Sequence, residues 1–196
     1  MEDANVKRDI FFQLDELTTA ILATNTSSIP ITAIAAVTRH PHRVIGMHFF
    51  NPPHVMKLVE VVPGLDTSAG TVEETCELAR VLGRTPIVVR RDIPGFIVNR
   101  ILMAQFIEAA RLVEEGVASP AEIDEAVRLG LGYPMGPFEL QDFVGLDVVL
   151  SVMDVLFNEY RDPRYAAPPS LRTLVRARHL GRKSGSGWSS WKQQDA

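Results

Sequence analysis

The stretch Val44-Ile-Gly-Met-His-Phe-Phe-Asn-Pro-Pro53 predicts a buried strand with an abrupt end. Residues 44–49 form an apolar run of strand length, and Asn51-Pro-Pro53 stops it because proline has no N–H for a ladder. A second strand is expected over 58–62. Upstream, Ala20-Ile-Leu-Ala-Thr24 is another short apolar run of strand type, and downstream a further strand is expected over 86–90. A helix is expected over 3–17, with Asp3 as N-cap and with Ile10, Leu14 and Leu17 at helical spacing, widened by Phe11. Two more follow, over 31–37 with Pro30 at the first turn and over 68–82 closed by Gly83. Strands alternating with helices argue for an α/β layer with a largely parallel sheet.

Beyond Pro94 the pattern changes. Residues 96–115, 120–129, 137–145 and 146–160 all read as helical, with no strand between them. A domain boundary is therefore expected near Asp92, separating residues 1–92 from an all-α part, 93–196. The segment Gly181-Arg-Lys-Ser-Gly-Ser-Gly187 reads as a flexible loop, docked by Trp188 and Trp191. No internal repeat or low-complexity tract is visible.

The 196 residues are 46% hydrophobic and 22% charged, the balance of a chain with a real core. A net charge of −4, with arginines scattered rather than clustered, argues against nucleic acid or an anionic membrane as a bulk partner. The single cysteine, Cys76, allows no internal disulfide and no CxxC metal site, and its helical setting reads as a small buried hydrophobe. No apolar run approaches the ~20 residues of a membrane span. The polar start Met1-Glu-Asp-Ala-Asn-Val-Lys-Arg-Asp9 is unlike a targeting peptide, so a cytoplasmic location is expected.

Two residues stand out chemically. His48 falls at the end of a buried strand directly before a rigid loop, the position that lines ligand crevices in open α/β sheets. It is either a general base or a buried histidine bonded to backbone. Glu60 sits in the otherwise apolar Lys57-Leu-Val-Glu-Val-Val62, where an unpaired carboxylate would be expensive. It either pairs with His48 on the neighbouring strand or lies on an edge strand facing solvent. The turn Thr24-Asn-Thr-Ser-Ser28 offers hydroxyls and N–H groups after a strand. There Ser28 reads as a helix N-cap and Ser27 as the ligand candidate.

His40, His42, His48 and His54 raise the question of a metal. However, Arg39, Pro41 and Arg43 make the first two look like a solvated turn, and no metal site is expected. Gly130-Leu-Gly132 and Gly185-Ser-Gly187 neither follow a strand nor open a helix, so neither reads as a phosphate loop.

Four segments together resemble the 3-hydroxyacyl-CoA dehydrogenase family. They are Ala23-Thr-Asn-Thr-Ser-Ser28, Gly46-Met-His-Phe-Phe-Asn-Pro-Pro53 with Met56-Lys-Leu-Val-Glu-Val61, Pro94-Gly-Phe-Ile-Val-Asn-Arg100, and Gly132-Tyr-Pro-Met-Gly-Pro-Phe-Glu-Leu140. All occur in the family's order and approximate spacing, and the resemblance runs from Glu2 to Gly187. It implies an α/β fold, the C-terminal part of a Rossmann-like, mostly parallel sheet followed by an all-α helical domain. It implies NAD as cofactor, an acyl-CoA substrate, no metal, and a homodimer formed through the helical domain.

The resemblance also implies residue roles. His48 takes the proton from the substrate 3-hydroxyl as hydride passes to NAD, and Glu60 supports it. Ser27 and Asn51 contact substrate and the nicotinamide end of the cofactor, with Asn99 close to the reacting centre. Glu2 and Lys7 match a Glu-x4-Lys pair on the cofactor's ribose side, and Lys183 matches a lysine reaching the cofactor from the C-terminal loop.

The chain departs from the family pattern in two places. The family's opening strand, its G-x-G-x-x-G turn and a further βα stretch have no counterpart here. That predicts an unpaired apolar sheet edge, no place for the adenine half of NAD, and little or no turnover by the chain unaided. A shortened gene start or a split gene would leave the glycine-rich turn in upstream coding sequence. In addition, Gly187-Trp-Ser-Ser-Trp191 stands where the family usually has Gly-Phe-Tyr. The alternative is a non-catalytic helical dimerisation module retained from a truncated dehydrogenase. A related sugar-acid dehydrogenase is disfavoured by His48-Phe-Phe-Asn51.

Overall fold

The computed structural model of the chain describes residues 3–191, which divide between Ile97 and Val98 into two compact units. In the first, helix α1 (Ala4–Leu17) opens on Asp3, whose carboxylate accepts the N–H groups of Asn5 and Val6. Of its expected apolar stripe Phe11 is buried, with Asp15 beside it, whereas Ile10 is 47% and Leu17 80% exposed. The inward face is the one from which Asp15 reaches the buried Arg43.

Strand β1 (Leu22–Thr24) leads to α2 (Ile31–Ala35), which stops two residues before the expected end at Val37. Pro30 occupies its N-cap position and offers no side-chain cap. The carboxylate of Asp92 accepts the N–H groups of Ile31 at 2.9 Å and Thr32 at 2.6 Å. Then follow β2 (Val44–Phe49), β3 (Leu58–Pro63), α3 (Ala69–Val81, capped by Ser68) and β4 (Thr85–Val88).

The strands form one sheet in the order β1-β2-β3-β4. β1 and β2 are parallel, β2 and β3 antiparallel, and β3 and β4 parallel, so the sheet is mixed, with its parallel pairs on the outside. The period of two along a strand separates the faces. Val44 and Val62 join Ile31, Ile34 and Phe96 on one side, while Ile45, Met47, Val59 and Val61 join Cys76 and Ala79 of α3 on the other. Gly46 lies on the first face. A Cβ there would come within 2.7 Å of Ile31 Cδ1 and 3.0 Å of Val62 Cβ, so the missing side chain lets α2 close onto the sheet. By the same alternation His48 and Glu60 point to that face.

The second unit contains α4 (Val98–Glu114), α5 (Pro120–Leu131), α6 (Pro137–Val144), α7 (Leu146–Tyr160) and α8 (Pro169–Arg176). A capping box between Ser119 and Glu122 starts α5, and Gly132 in the left-handed region ends it. Sequence reading missed α8, whose eight residues are too short a run for periodicity to declare.

Asp124 of α5 accepts the N–H groups of Phe138 and Glu139, capping α6 from another helix. A Cβ on Gly136 would fall 2.4 Å from the Asp124 Cα, which explains the glycine in Gly136-Pro-Phe. The expected flexible loop after Gly181 is instead folded. Ser186 bridges to both Gly181 and Ser190, and the Asp142 carboxylate accepts from Trp188 N–H, Ser189 N–H and Trp191 Nε1 at 2.8–3.0 Å. Trp188 and Trp191 do dock the segment, with Trp188 Nε1 also donating to Gln141.

Candidate active site

His48 and Glu60 are directly opposed across β2 and β3. Such cross-strand pairs hold their side chains on one face at close range. His48 Nδ1 lies 2.8 Å from Glu60 Oε2, with the residues 6% and 1% exposed. An ionised carboxylate only accepts hydrogen bonds, so this contact places the ring proton on Nδ1 and turns Nε2 into the ring's acceptor. The edge-strand alternative for Glu60 is excluded, since β3 is flanked by strands on both sides.

The remaining oxygen of Glu60 accepts the N–H of Ile97 at 3.0 Å. That N–H is delivered by the turn Pro94-Gly95-Phe96, in which Gly95 has φ 76° and Phe96 φ 44°. A non-glycine residue in the left-handed region carries local strain of order 1–2 kcal/mol, and here it sits beside the buried pair. The Phe96 ring packs 5.5 Å from the His48 ring and Phe50 packs 4.7 Å from it, both edge-on. Apolar rings on either side narrow the imidazole's choice of rotamer and exclude water from it. Neither phenylalanine is distinguishable by sequence from an ordinary core residue.

Because β1 and β2 are parallel, the Thr24–Ser28 turn and the Phe50–Asn51 turn leave the sheet at the same end. Asn25 Oδ1 accepts the N–H of Phe49 at 3.0 Å and ties the two together. The turn is shaped by Thr26, whose hydroxyl oxygen accepts from the N–H groups of Ser28 and Ile29. Ser27 is half-buried within it, and Ser28 does not cap α2, because Asp92 does. Lys7 Nζ donates to Thr24 Oγ1 at 3.3 Å, placing the ammonium near the start of the same turn. Asn51 is exposed just beyond β2. Glu2 lies outside the described residues. Asn99 and Lys183 belong to the second unit, Asn99 in the first turn of α4 and Lys183 ion-paired with Asp147. Burial tends to raise the Asp147 carboxyl, but the Lys183 ammonium more than offsets this and holds it below the usual range.

The turn around His40 is exposed at Arg39, His40 and His42, as expected, and only Arg43 departs from that reading. Arg43 is buried and donates to the carbonyls of Thr18, Ala20 and Asp15 and to Asp15 Oδ1, and His40 Nδ1 lies 3.2 Å from the same carboxylate. A cavity of about 720 Å³ beside these residues lies at the opposite end of β2 from His48, and its arginines are already engaged in holding α1 to the sheet. Among the described residues no group of three or more His, Cys, Asp or Glu could hold a metal ion.

An α/β layer with a carboxylate-held histidine at the mouth of a strand, followed by a helical unit, is the build of a dinucleotide-dependent dehydrogenase. Residues 1–93 match the 3-hydroxyacyl-CoA dehydrogenase NAD binding domain, and residues 95–191 match the C-terminal domain of the same enzymes. The chain is 50% identical over 195 residues to the 3-hydroxybutyryl-CoA dehydrogenase of Clostridioides difficile, covering 98% of this chain and 69% of that protein. It is 49% identical to a probable 3-hydroxybutyryl-CoA dehydrogenase of Bacillus subtilis, covering 98% and 68%. The crystal structure of (S)-3-hydroxybutyryl-CoA dehydrogenase from Ralstonia eutropha superposes with a TM-score of 0.95 at 46% identity, covering 98% of this chain and 69% of that one. The chain belongs to the 3-hydroxyacyl-CoA dehydrogenase family, an NAD-dependent oxidoreductase family.

Proposed function

We propose that this chain interconverts a 3-hydroxyacyl-CoA and its 3-ketoacyl-CoA, with His48 as the proton carrier, in fatty-acid β-oxidation or related short-chain acyl-CoA metabolism. The observation that carries the reading is the buried 2.8 Å contact between His48 Nδ1 and Glu60 Oε2. In the oxidative direction His48 Nε2 takes the proton of the C3 hydroxyl. The resulting imidazolium is stabilised by Glu60, which also fixes the tautomer. In the reductive direction the same protonated ring polarises the ketone and returns the proton.

The donor set fits NAD. A half-buried hydroxyl at Ser27, an amide at Asn51 and an ammonium at Lys7 all belong to the first unit, and the first two leave the sheet at the end where His48 lies. Bound NAD supplies the hydride acceptor, and NADH the donor. Ser27 and Asn51 orient substrate and nicotinamide, and Asn99 lies near the reacting centre. Glu2 and Lys7 contact the ribose side of the cofactor, and Lys183 reaches it from the C-terminal loop. Residues 1–92 act as the partial NAD-binding domain and 93–196 as the dimerisation and substrate domain, giving a homodimer. A cytoplasmic location is consistent with the finding that no helix among the described residues is long and apolar enough to cross a membrane.

Loss of NADH absorbance with acetoacetyl-CoA tests the reading, with His48→Gln as the paired variant. A low rate is expected of the chain unaided, and its disappearance in the variant is the expected result. Equal rates in the two proteins would overturn the assignment of His48.

A further inference from the structure

We infer that Asn25 is a positioning residue for the proton carrier, coupling the Ser27 turn to the end of the catalytic strand. The inference rests on the reading of His48 given above. β1 stops at Thr24, opposite Gly46, whereas β2 runs on through Met47, His48 and Phe49. Over those last residues β3 still pairs with β2, but β1 has ended. The Asn25 side chain takes the place of the absent strand, its Oδ1 accepting the Phe49 N–H at 3.0 Å.

Phe49 lies between His48 and Phe50, and the Phe50 ring is one of the two that clamp the imidazole. A main-chain anchor at Phe49 therefore restrains both the base and its packing partner. The other end of the anchor is the segment that carries Ser27 two residues on, a turn already held by the Thr26 hydroxyl. One hydrogen bond thus sets the spacing between the turn expected to meet the ligand and the strand that bears the base. A side-chain amide serves this purpose where continued pairing would not. A longer β1 would fill the place of the turn with regular ladder, and the hydroxyls of Ser27 and Ser28 would alternate between the sheet faces.

The test reads this bond and the ring directly, without turnover, on the full ¹⁵N-labelled chain. Amide exchange at Phe49 and the His48 ring Nδ1–H signal are compared in the native chain, Asn25→Leu and Asn25→Asp. Leucine keeps the volume and removes the acceptor; aspartate keeps an acceptor. The expected result is Phe49 exchange roughly tenfold faster in Asn25→Leu, the size of one modest hydrogen bond. The His48 Nδ1–H signal should broaden in the same protein, and Phe49 protection should be retained in Asn25→Asp.

Phe49 exchange unchanged in Asn25→Leu would overturn the anchor. Faster exchange with an unaltered His48 signal would show that the anchor positions nothing, and equal acceleration throughout β2 and β3 would reduce Asn25 to a general stabiliser. None of these depends on whether His48→Gln abolishes activity, so failure of this inference and failure of the proposed function are told apart.

Discussion

Glu60 in the first unit and Asp142 in the second are equally withdrawn from solvent, each 1% exposed, yet they hold different kinds of partner. Asp142 accepts two main-chain N–H groups and an indole N–H. All three are fixed donors, and the result is a closed structural knot at the C-terminal segment. Glu60 accepts the main-chain N–H of Ile97 on one oxygen but gives the other to an imidazole, a group that can change its own charge. Burial of a carboxylate is thus no mark of function in itself. Whether the partner can titrate separates a site from a staple.

The comparison is broken most directly at Asp142. Replacement by alanine removes the shared acceptor of Trp188, Ser189 and Trp191, two of them half-buried, and a loss of about 2 kcal/mol is expected. Trp188 and Trp191 are the only tryptophans in the chain, so urea denaturation followed by their emission reports on this unit. A midpoint within error of the native chain would show that the knot is not needed.

At Glu60 the expected loss is in rate. Glu60→Gln keeps the shape and an acceptor for Ile97 but removes the charge that supports the imidazolium. A fall of about 10²-fold in kcat with little change in KM for acetoacetyl-CoA is expected. A rise in KM alone would assign Glu60 to binding instead.

A smaller effect sharpens the contrast between the units through pH. Burial works to raise the Asp15 carboxyl, but the Arg39 N–H, the Arg43 guanidinium and His40 outweigh it and hold it below the ordinary range. Between that lowered value and the ordinary one near ~3.9, the unfolded chain binds the proton and the folded chain does not. Stability from Asp15 is therefore complete above the ordinary value and lost as pH falls through the folded one.

Asp124 in the second unit is shifted the other way. Its burial raises it, only partly opposed by the N–H groups of Phe138 and Glu139. Over its window the folded chain keeps the proton longer, so stability falls as pH rises. Urea midpoints measured across the acid range should lose a positive slope in Asp15→Asn and a negative one in Asp124→Asn. Slopes of the same sign would refute the contrast.

Much of the first unit was legible because its signals are local. A proline pair ends β2, serine and aspartate mark the starts of α3 and α1, and a glutamate inside Lys57-Leu-Val-Glu-Val-Val62 demands a partner. The orientation of α1 was not legible. Of the stripe Ile10, Leu14 and Leu17, widened by Phe11, only Phe11 is buried, and the side turned inward also carries Asp15, whose partner Arg43 lies 28 residues away. Arg43 itself looked like part of a wet turn, because nothing in its neighbours announces three carbonyls and a carboxylate gathered around it. The C-terminal loop misled for a similar reason. Its glycines suggest freedom, whereas Gly187 is required because a Cβ there would fall 2.0 Å from Asp142 Oδ1.

The sequence by itself determined the alternation of strands and helices in the first unit, the change of character after Pro94, and the need of the Glu60 carboxylate for a partner. These follow from short-range rules of periodicity, capping and the expense of a buried charge. Only the tertiary structure decided that β2 and β3 run antiparallel with His48 directly across from Glu60, that the Phe96 turn brings the Ile97 N–H onto that carboxylate, and that Asn25 closes the strand beyond its last partner. Those facts depend on register and on contacts between residues far apart in the chain. A register shifted by one residue would have turned either side chain to the opposite face of the sheet without altering a single local propensity.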